Sequence, residues 1–418
     1  MRLSIFLSVM VLLLAASLVN AQVTPDSGFA AFSKQHYPLL VEAYKKKDVA
    51  QYNVLLKEFL NKYGSLDKDQ QKLFAPYLMG AYYNLSCAYS LLNNKPSAIT
   101  YLDKAIKAGY TNYAHLQQDT DLDNIRKEKA FATVVQPMRE FGDYIYILKK
   151  DNRFTTTDSI MLPAFTYQSA DNPQLVSLRQ QFKLDSVAGE GSDVSKVLNV
   201  LHWVHNTIHH DGATESGITS INGLAIAAAA KAKNIGVSCG ELATVLNDCY
   251  LSLGFKSRKI YCFPKDSLST DYDSHVINVV YLPQLKKWIW VDPTNDAYVM
   301  NDKGELLSIA EVRDRLVHDK PLISNPDANW NHRLTITKVD YLDNYMSKNV
   351  YRFYCTLESG FDVETKGGEK TITYIYLAPV GYGKFKDRPV RTESYNKDIK
   401  TTIVRYTTHN PAAFWQVP

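Results

Sequence analysis

The chain has 418 residues, of which 45% are hydrophobic, 12% aromatic and 22% charged, the balance of a folded globular protein and not of a disordered, collagenous or low-complexity one. Its 47 Lys and Arg against 43 Asp and Glu leave a net charge of +4 spread along the length, too weak a field to hold nucleic acid phosphates. Five cysteines in so long a chain make no dense disulfide scaffold, and their odd number leaves at least one thiol free, or paired outside the chain, if the protein is exported.

Arg2 precedes a short apolar run ending at Ala15-Ala16, and Val19-Asn20-Ala21 puts small residues where a signal peptidase cuts. The pattern predicts a bacterial-type signal peptide over 1–21 and a periplasmic or secreted chain. No Cys follows the run to carry a lipid anchor, and no later stretch reaches the roughly 18 apolar residues of a membrane span.

Over 28–150 the apolar residues recur at helical spacings of three and four. Leu39, Leu40, Ala43 and Tyr44 form one stripe, and Val49, Tyr52, Leu55, Leu56 and Phe59 the next. Tyr83, Leu85, Ala88, Tyr89 and Leu91 follow, and after the Asn93-Asn94-Lys95-Pro96 break come Ala98, Leu102, Ala105 and Ile106. Small Ala between large Tyr and Leu lets paired helices approach closely, and the region resembles tetratricopeptide repeats. Two pairs are fewer than a free-standing array of such repeats needs. The region reads as a packing domain, with a groove for a protein partner as the sharper alternative.

Residues 151–191 turn to Thr, Ser, Asp and Pro and read as a join, with an extended segment around Met161 to Tyr167 and a helix around Pro173 to Phe182. Helical patterning returns through Val197, Leu198, Leu201, Val204 and Ile208, then over Gly223 to Lys233 and Cys239 to Leu253. From Lys256 the pattern changes to strands, at 259–263, 275–282 and 288–292, and later at 370–377 and 400–407. Helices first and strands after is an α+β order. The expected domains are a helical tetratricopeptide-like region at 28–150, a join at 151–191, a core at 192–325 and a β-rich extension at 326–418.

Cys239 stands where the glycine-bearing loop Asn234-Ile235-Gly236-Val237-Ser238 enters a helix, at the positive end of the macrodipole and beside unpaired N–H groups, which favour a thiolate. Cys249 falls on the buried stripe of the same helix, while Cys87, Cys262 and Cys355 lie inside a helix or strands, and all four read as small packing residues. A thiolate needs a base, and His275 opens a strand whose hairpin returns through Pro283-Gln284-Leu285-Lys286 to a strand ending at Asp292. If Leu282 faces Lys287, Ile277 opposes Asp292 and His275 lies one diagonal step away on the same face. A register slip of one would separate the two residues. On the favourable register Asp292 can orient the imidazole toward the sulfur.

Cys239-Gly240-Glu241-Leu242-Ala243, Leu253-Gly254-Phe255-Lys256-Ser257-Arg258, His275-Val276-Ile277-Asn278 and Trp288-Ile289-Trp290-Val291-Asp292-Pro293-Thr294 together resemble the core of the transglutaminase-like superfamily. The resemblance covers about 194–295. It implies a papain-like fold, a helix packed on an antiparallel sheet, with Cys239 as nucleophile, His275 as general base and acid, and Asp292 as orienting group. Many members follow the histidine with Ala-Trp where this chain has Val276-Ile277, so the wall beside the base is shaped differently. The Cys239 N–H is the natural first oxyanion donor. Trp203, Asn222 and Gly240 are the candidates to complete the pocket.

His202, His205, His209 and His210 crowd one helix end, the first three at spacings that share a helix face. No Glu stands between His205 and His209 to serve a metalloprotease, and imidazoles at a helix C-terminus are favoured by the dipole alone. No metal and no cofactor are expected. The whole reads as an exported cysteine-dependent enzyme that hydrolyses a peptide, protein or other amide through a thioester. A catalytically silent binding module for peptide or glycan-linked ligands is the alternative.

Overall fold

The computed structural model describes residues 27–157, 161–214, 216–265, 273–383 and 390–418. The signal peptide expected at 1–21 lies outside them. No helix among the described residues is long and apolar enough to cross a membrane. The chain divides into two compact units between Asp143 and Tyr144.

In the first unit, short polar side chains start the helices. Asp48 caps α2 (Val49–Tyr63) by accepting from Gln51 N, Asp67 caps α3 (Lys68–Leu91), and Asn94 caps α4 (Lys95–Lys107), which has Pro96 in its first turn. With α1 (Ser27–Lys45) these form the helical region read from the periodicity. Leu40, Ala43, Tyr52, Leu55 and Leu56 bury against Ala81 and Leu85 of α3. The opposite side of α3 gives Tyr83 and Cys87 to a second cluster with Ala98, Leu102 and Ala105 of α4. Leu39, placed on the stripe by spacing, is 51% exposed. The short helices that follow, from Tyr113 to Gly142, contribute Leu116, Leu122, Phe131 and Met138 to this second cluster.

The second unit is built on a mixed sheet of nine strands. They are β1 (Ser257–Phe263), β2 (His275–Leu282), β3 (Lys287–Asp292), β4 (Ala297–Met300), β5 (Ile323–Ser324), β6 (Arg352–Thr356), β7 (Lys370–Leu377), β8 (Val390–Asn396) and β9 (Thr401–Thr408). Their order is β8-β9-β7-β6-β1-β2-β3-β4-β5. From β6 to β5 every pair is antiparallel, as expected of the core; β7 and β9 pair parallel, with β8 outside them at the edge. Of the extended segment expected around 161–167, only Thr166–Tyr167 is a strand, paired with Glu358–Ser359.

Helices α5 (Asp193–Thr207), α6 (Gly223–Lys233) and α7 (Cys239–Ser252) cover one face of this sheet. Leu242, Val245, Leu246 and Cys249 of α7 share a core with Val280, Leu282, Ile289 and Val291, each such buried Leu or Val contributing about 1.5–3 kcal/mol. Strand alternation puts His275, Trp290 and Asp292 on the other face. That face is covered too, Trp290 by Tyr341 and Trp288 by Tyr167 and Arg258. Burial on both sides is why β2 and β3 read as near-continuous apolar runs.

Candidate active site

Cys239 is the first residue of α7. Ser238 caps the helix by accepting from Glu241 N while Glu241 reaches back to Ser238 N, a reciprocal capping box, and Ser216 holds the other Glu241 oxygen. The helix start is therefore rigid, and its first N–H groups, Cys239's own included, have no carbonyl of the helix to bond.

His275 is the first residue of β2, so strand start and helix start meet at one end of the sheet. The hairpin register is Leu282 opposite Lys287, the pairing that sets His275 and Asp292 on one face. His275 Nε2 lies 2.8 Å from Asp292 Oδ2, with both side chains buried. That contact leaves the other ring nitrogen, Nδ1, for the thiol of Cys239, whose ionised form the His275 ring and the Val276 N–H favour.

Asp292 is held on all sides. Tyr341 donates to Oδ2 at 2.6 Å and Asn295 Nδ2 at 3.0 Å, while Thr294 N donates to Oδ1 at 2.9 Å. Tyr341 and Tyr345 lie four residues apart on the π-wound turn Val339–Met346, a helix form met often at functional sites. Tyr345 sets its ring against His275, 5.3 Å between centroids.

A second imidazole, that of His210, also favours the ionised form of the thiol. Helix α5 ends at Thr207, so His209 and His210 are off it, and His210 forms a parallel bridge with Val237. Gly236 permits this approach, since a Cβ there would sit 2.6 Å from Asp211 Cβ and 3.1 Å from His210 C. Asn331 grips the His210 backbone at both ends, accepting from its N–H and donating to its carbonyl, each at 2.9 Å. Trp330 donates its indole N–H to His210 Nδ1 at 2.9 Å.

These contacts set the charges. Burial pushes the Cys239 thiol up, but hydrogen bonds to His210 and His275, the His275 charge and the Val276 N–H outweigh it and bring it down to about 6. Burial pushes His275 down, while the charge and hydrogen bond of Asp292 and the contact with Cys239 raise it to about 10. Burial pushes Asp292 up, and His275, Tyr341 and Asn295 bring it to about 2. Around neutral pH the site is a thiolate beside an imidazolium backed by a carboxylate. The other cysteines are buried and free.

The sequence candidates for the rest of the pocket fall as follows. Gly240 sits beside Cys239 with Val276 Cγ2 3.8 Å from where its Cβ would be. Trp203 packs on Phe182 within the helical core. Asn222 caps α6 through Ala225 N and donates to Asp362. The histidines grouped by spacing separate: His205 bonds Pro293 O and Asn329, His209 is exposed, and His202 pairs with Asp296 at 2.7 Å, with Asp327 near by. A cleft of about 440 Å³ lined by Arg179, Asp185, Lys256 and Tyr281 lies toward the far end of β2 and includes none of the site residues. His210 stood in the histidine crowd but carried no signal of its role, because its neighbour in space, Val237, is joined to it by a parallel bridge that no local pattern encodes.

A half-buried thiolate at a helix start, facing a buried His-Asp pair across a sheet end, is the arrangement of papain-like folds. Residues 180–293 match the family model described as the transglutaminase-like superfamily, and this stretch, which holds Cys239, His275 and Asp292, is a transglutaminase-like domain. A solved Cytophaga hutchinsonii structure named "Putative Cysteine Protease" is similar over 42% of this chain and 57% of that one, at 16% identity and a TM-score of 0.23. The chain is also 35% identical over 60 residues to a chloroplastic protein of Arabidopsis thaliana, a match spanning 14% of this chain and 18% of that protein.

Proposed function

We propose that the protein is an exported cysteine-dependent acyl-transfer enzyme that hydrolyses peptide or other amide bonds. Cys239 attacks the carbonyl carbon, and the electron pair moved onto oxygen returns as the C–N bond breaks. His275 hands its proton to the departing amine, leaving a thioester. His275 then takes a proton from water as the water oxygen attacks the thioester carbon, and the C–S bond breaks to release the acid and return the thiolate beside the imidazolium. Asp292 keeps His275 oriented and supports its positive form. The observation that carries this reading is the buried His275–Asp292 pair at 2.8 Å at the sheet end where Cys239, the one half-buried cysteine, opens a capped helix; the thiol there is brought down to about 6. A binding module has no need of an ionised thiol.

The test is labelling by a thiol-directed acylating probe followed by intact mass. Wild type should gain one acyl group, and Cys239→Ala, folded by circular dichroism, should gain none. Equal labelling of both chains sinks the assignment.

A further inference from the structure

The sheet continues sideways past the site. Val276 packs under the start of α7, its Cγ2 3.8 Å from where a Gly240 Cβ would be. Opposite Val276 is Tyr261, opposite Tyr261 is Tyr354, and opposite Tyr354 is Tyr376, so one row runs on a single face from beside Cys239 across β1, β6 and β7. Along β6 and β7 burial alternates: Phe353, Cys355, Ile375 and Leu377 are buried, while Arg352, Tyr354, Tyr374 and Tyr376, on the face of the row, are half-buried. Such an outer face ordinarily carries polar residues toward water. Here it carries rings and guanidinium groups.

The rings use their faces on one another. Tyr354 stacks on Tyr261 with centroids 4.3 Å apart and 14° between planes, and meets Tyr376 on its other side at 4.8 Å. A ring so placed presents its rim, the positive part of the aromatic quadrupole. Arg352 lays its guanidinium over Phe263 at 4.6 Å, and Arg405, opposite Tyr374 on β9, bonds the neutral Ser394 hydroxyl at 3.2 Å. The chain's own Glu364 shows what these surroundings hold. Tyr261 and Tyr374 each donate to its carboxylate at 3.0 Å, and Lys259 matches its charge at 2.5 Å.

We infer that this tyrosine row is the subsite for the acyl half of the substrate, and that the substrate is an acidic peptide whose carboxylates, three and four residues from the scissile carbonyl, are held by Arg352 and Arg405. The inference rests on the acyl-transfer reading above and names its substrate class. The leaving amine must meet His275, whose ring is on the opposite face against Tyr345, so the acyl half is the part free to run along the row. With strands about 4.8 Å apart, Tyr354 and Tyr376 stand roughly 10 and 14 Å from Val276, a span that an extended peptide rising about 3.3 Å per residue covers in about three to four residues. Positive ring rims and guanidinium groups there favour a carboxylate over an amide or an ammonium group. Arg352, Tyr354, Tyr376 and Arg405 lie beyond the residues matched by the family model, so the chain after 293 supplies this specificity.

The experiment presents the full chain with three chloromethyl ketones, acetyl-Glu-Glu-Gly-Gly, acetyl-Gln-Gln-Gly-Gly and acetyl-Lys-Lys-Gly-Gly. The acyl part of each takes the row while the Cys239 sulfur displaces chloride, and the rate of adduct formation is read by intact mass. The acidic probe should react about tenfold faster than the glutamine probe, with the lysine probe slowest, and its advantage should shrink as salt is raised. Arg405→Gln should lower that advantage to about threefold, and Arg405→Glu should make the lysine probe the faster of the two charged ones. Equal rates with all three probes, or an acidic advantage unmoved by salt and by Arg405→Glu, would overturn the proposal. The salt series needs no variant, so it decides the matter if the Arg405 variants do not fold. The same acyl groups as p-nitroanilides separate the two readings. Release of p-nitroaniline at equal rates from all three would keep acyl transfer and remove the acidic subsite. An acidic advantage in alkylation with no p-nitroaniline from any would remove acyl transfer and leave the row as a surface that binds acidic peptides.

Discussion

Tyr341 donates its hydroxyl hydrogen to Asp292 Oδ2 at 2.6 Å, the same oxygen that faces His275 Nε2 at 2.8 Å. The tyrosine also accepts the buried Trp290 indole N–H at 3.0 Å, so one hydroxyl joins the orienting carboxylate to the sheet core. Tyr341→Phe takes away both bonds. A buried N–H left without an acceptor costs about 1–3 kcal/mol, and that loss should appear in urea unfolding. With Asp292 less firmly held, kcat should fall roughly tenfold with little change in KM. A variant as stable and as active as wild type would contradict this role.

Asp292→Asn keeps the shape and removes the charge that holds His275 high. The imidazolium is then no longer supported, and the thiolate loses its counter-charge. Turnover should fall by about 10⁴, and the onset of iodoacetamide alkylation should move from near pH 6 toward the range of an ordinary thiol. An unshifted alkylation profile would place the thiolate's support elsewhere.

The pH profile follows from the two shifts. Below about 6 Cys239 takes up a proton and the nucleophile is lost; above about 10 His275 gives up the proton it must hand to the leaving group. Amide turnover should therefore rise through about 6, hold, and fall through about 10, whereas alkylation, which needs no acid, should rise once and stay level. Rates of both between about pH 4 and about pH 10.5 check it. Because the two groups interact, the limbs belong to the pair rather than to either residue.

How much of this could be read from the chain depends on what fixed each contact. His275 and Asp292 were legible because four loop residues join their strands and set the register, and alternation does the rest. Cys239 was legible from its loop and helix pattern. His210 was not, since it is placed beside Val237 by a parallel bridge and held by a hairpin more than a hundred residues away. Tyr341 was one tyrosine among many in the tail, and nothing in its spacing announces a π-wound turn. The parallel β7–β9 pair was hidden for a similar reason, with β8 intervening in sequence but lying outside them in space.

Asp248, buried beneath the α6 start, has its carboxyl pushed up to about 7 by burial, against the Gly223 N–H that bonds it at 2.8 Å and the Lys259 charge. A folded-state value above the unfolded one, about 3.9, means that the folded chain binds more protons between these values. This carboxyl therefore lowers stability as pH rises from about 4 to about 7. Asp248→Asn can keep an oxygen for Gly223 without the charge. In urea unfolding the variant should be more stable than wild type at about pH 8, by up to roughly 4 kcal/mol, and gain nothing at about pH 4. A gain independent of pH would refute the titration.

The five thiols differ in kind. Burial drives Cys87, Cys249 and Cys262 well above the ordinary value and Cys355 up to about 12, while Cys239 alone is brought down. In neutral solution an alkylating reagent thus meets one reactive sulfur on the native chain and five on the unfolded one. The number of adducts per molecule is a built-in gauge of folding, readable by mass alone and requiring no knowledge of the substrate.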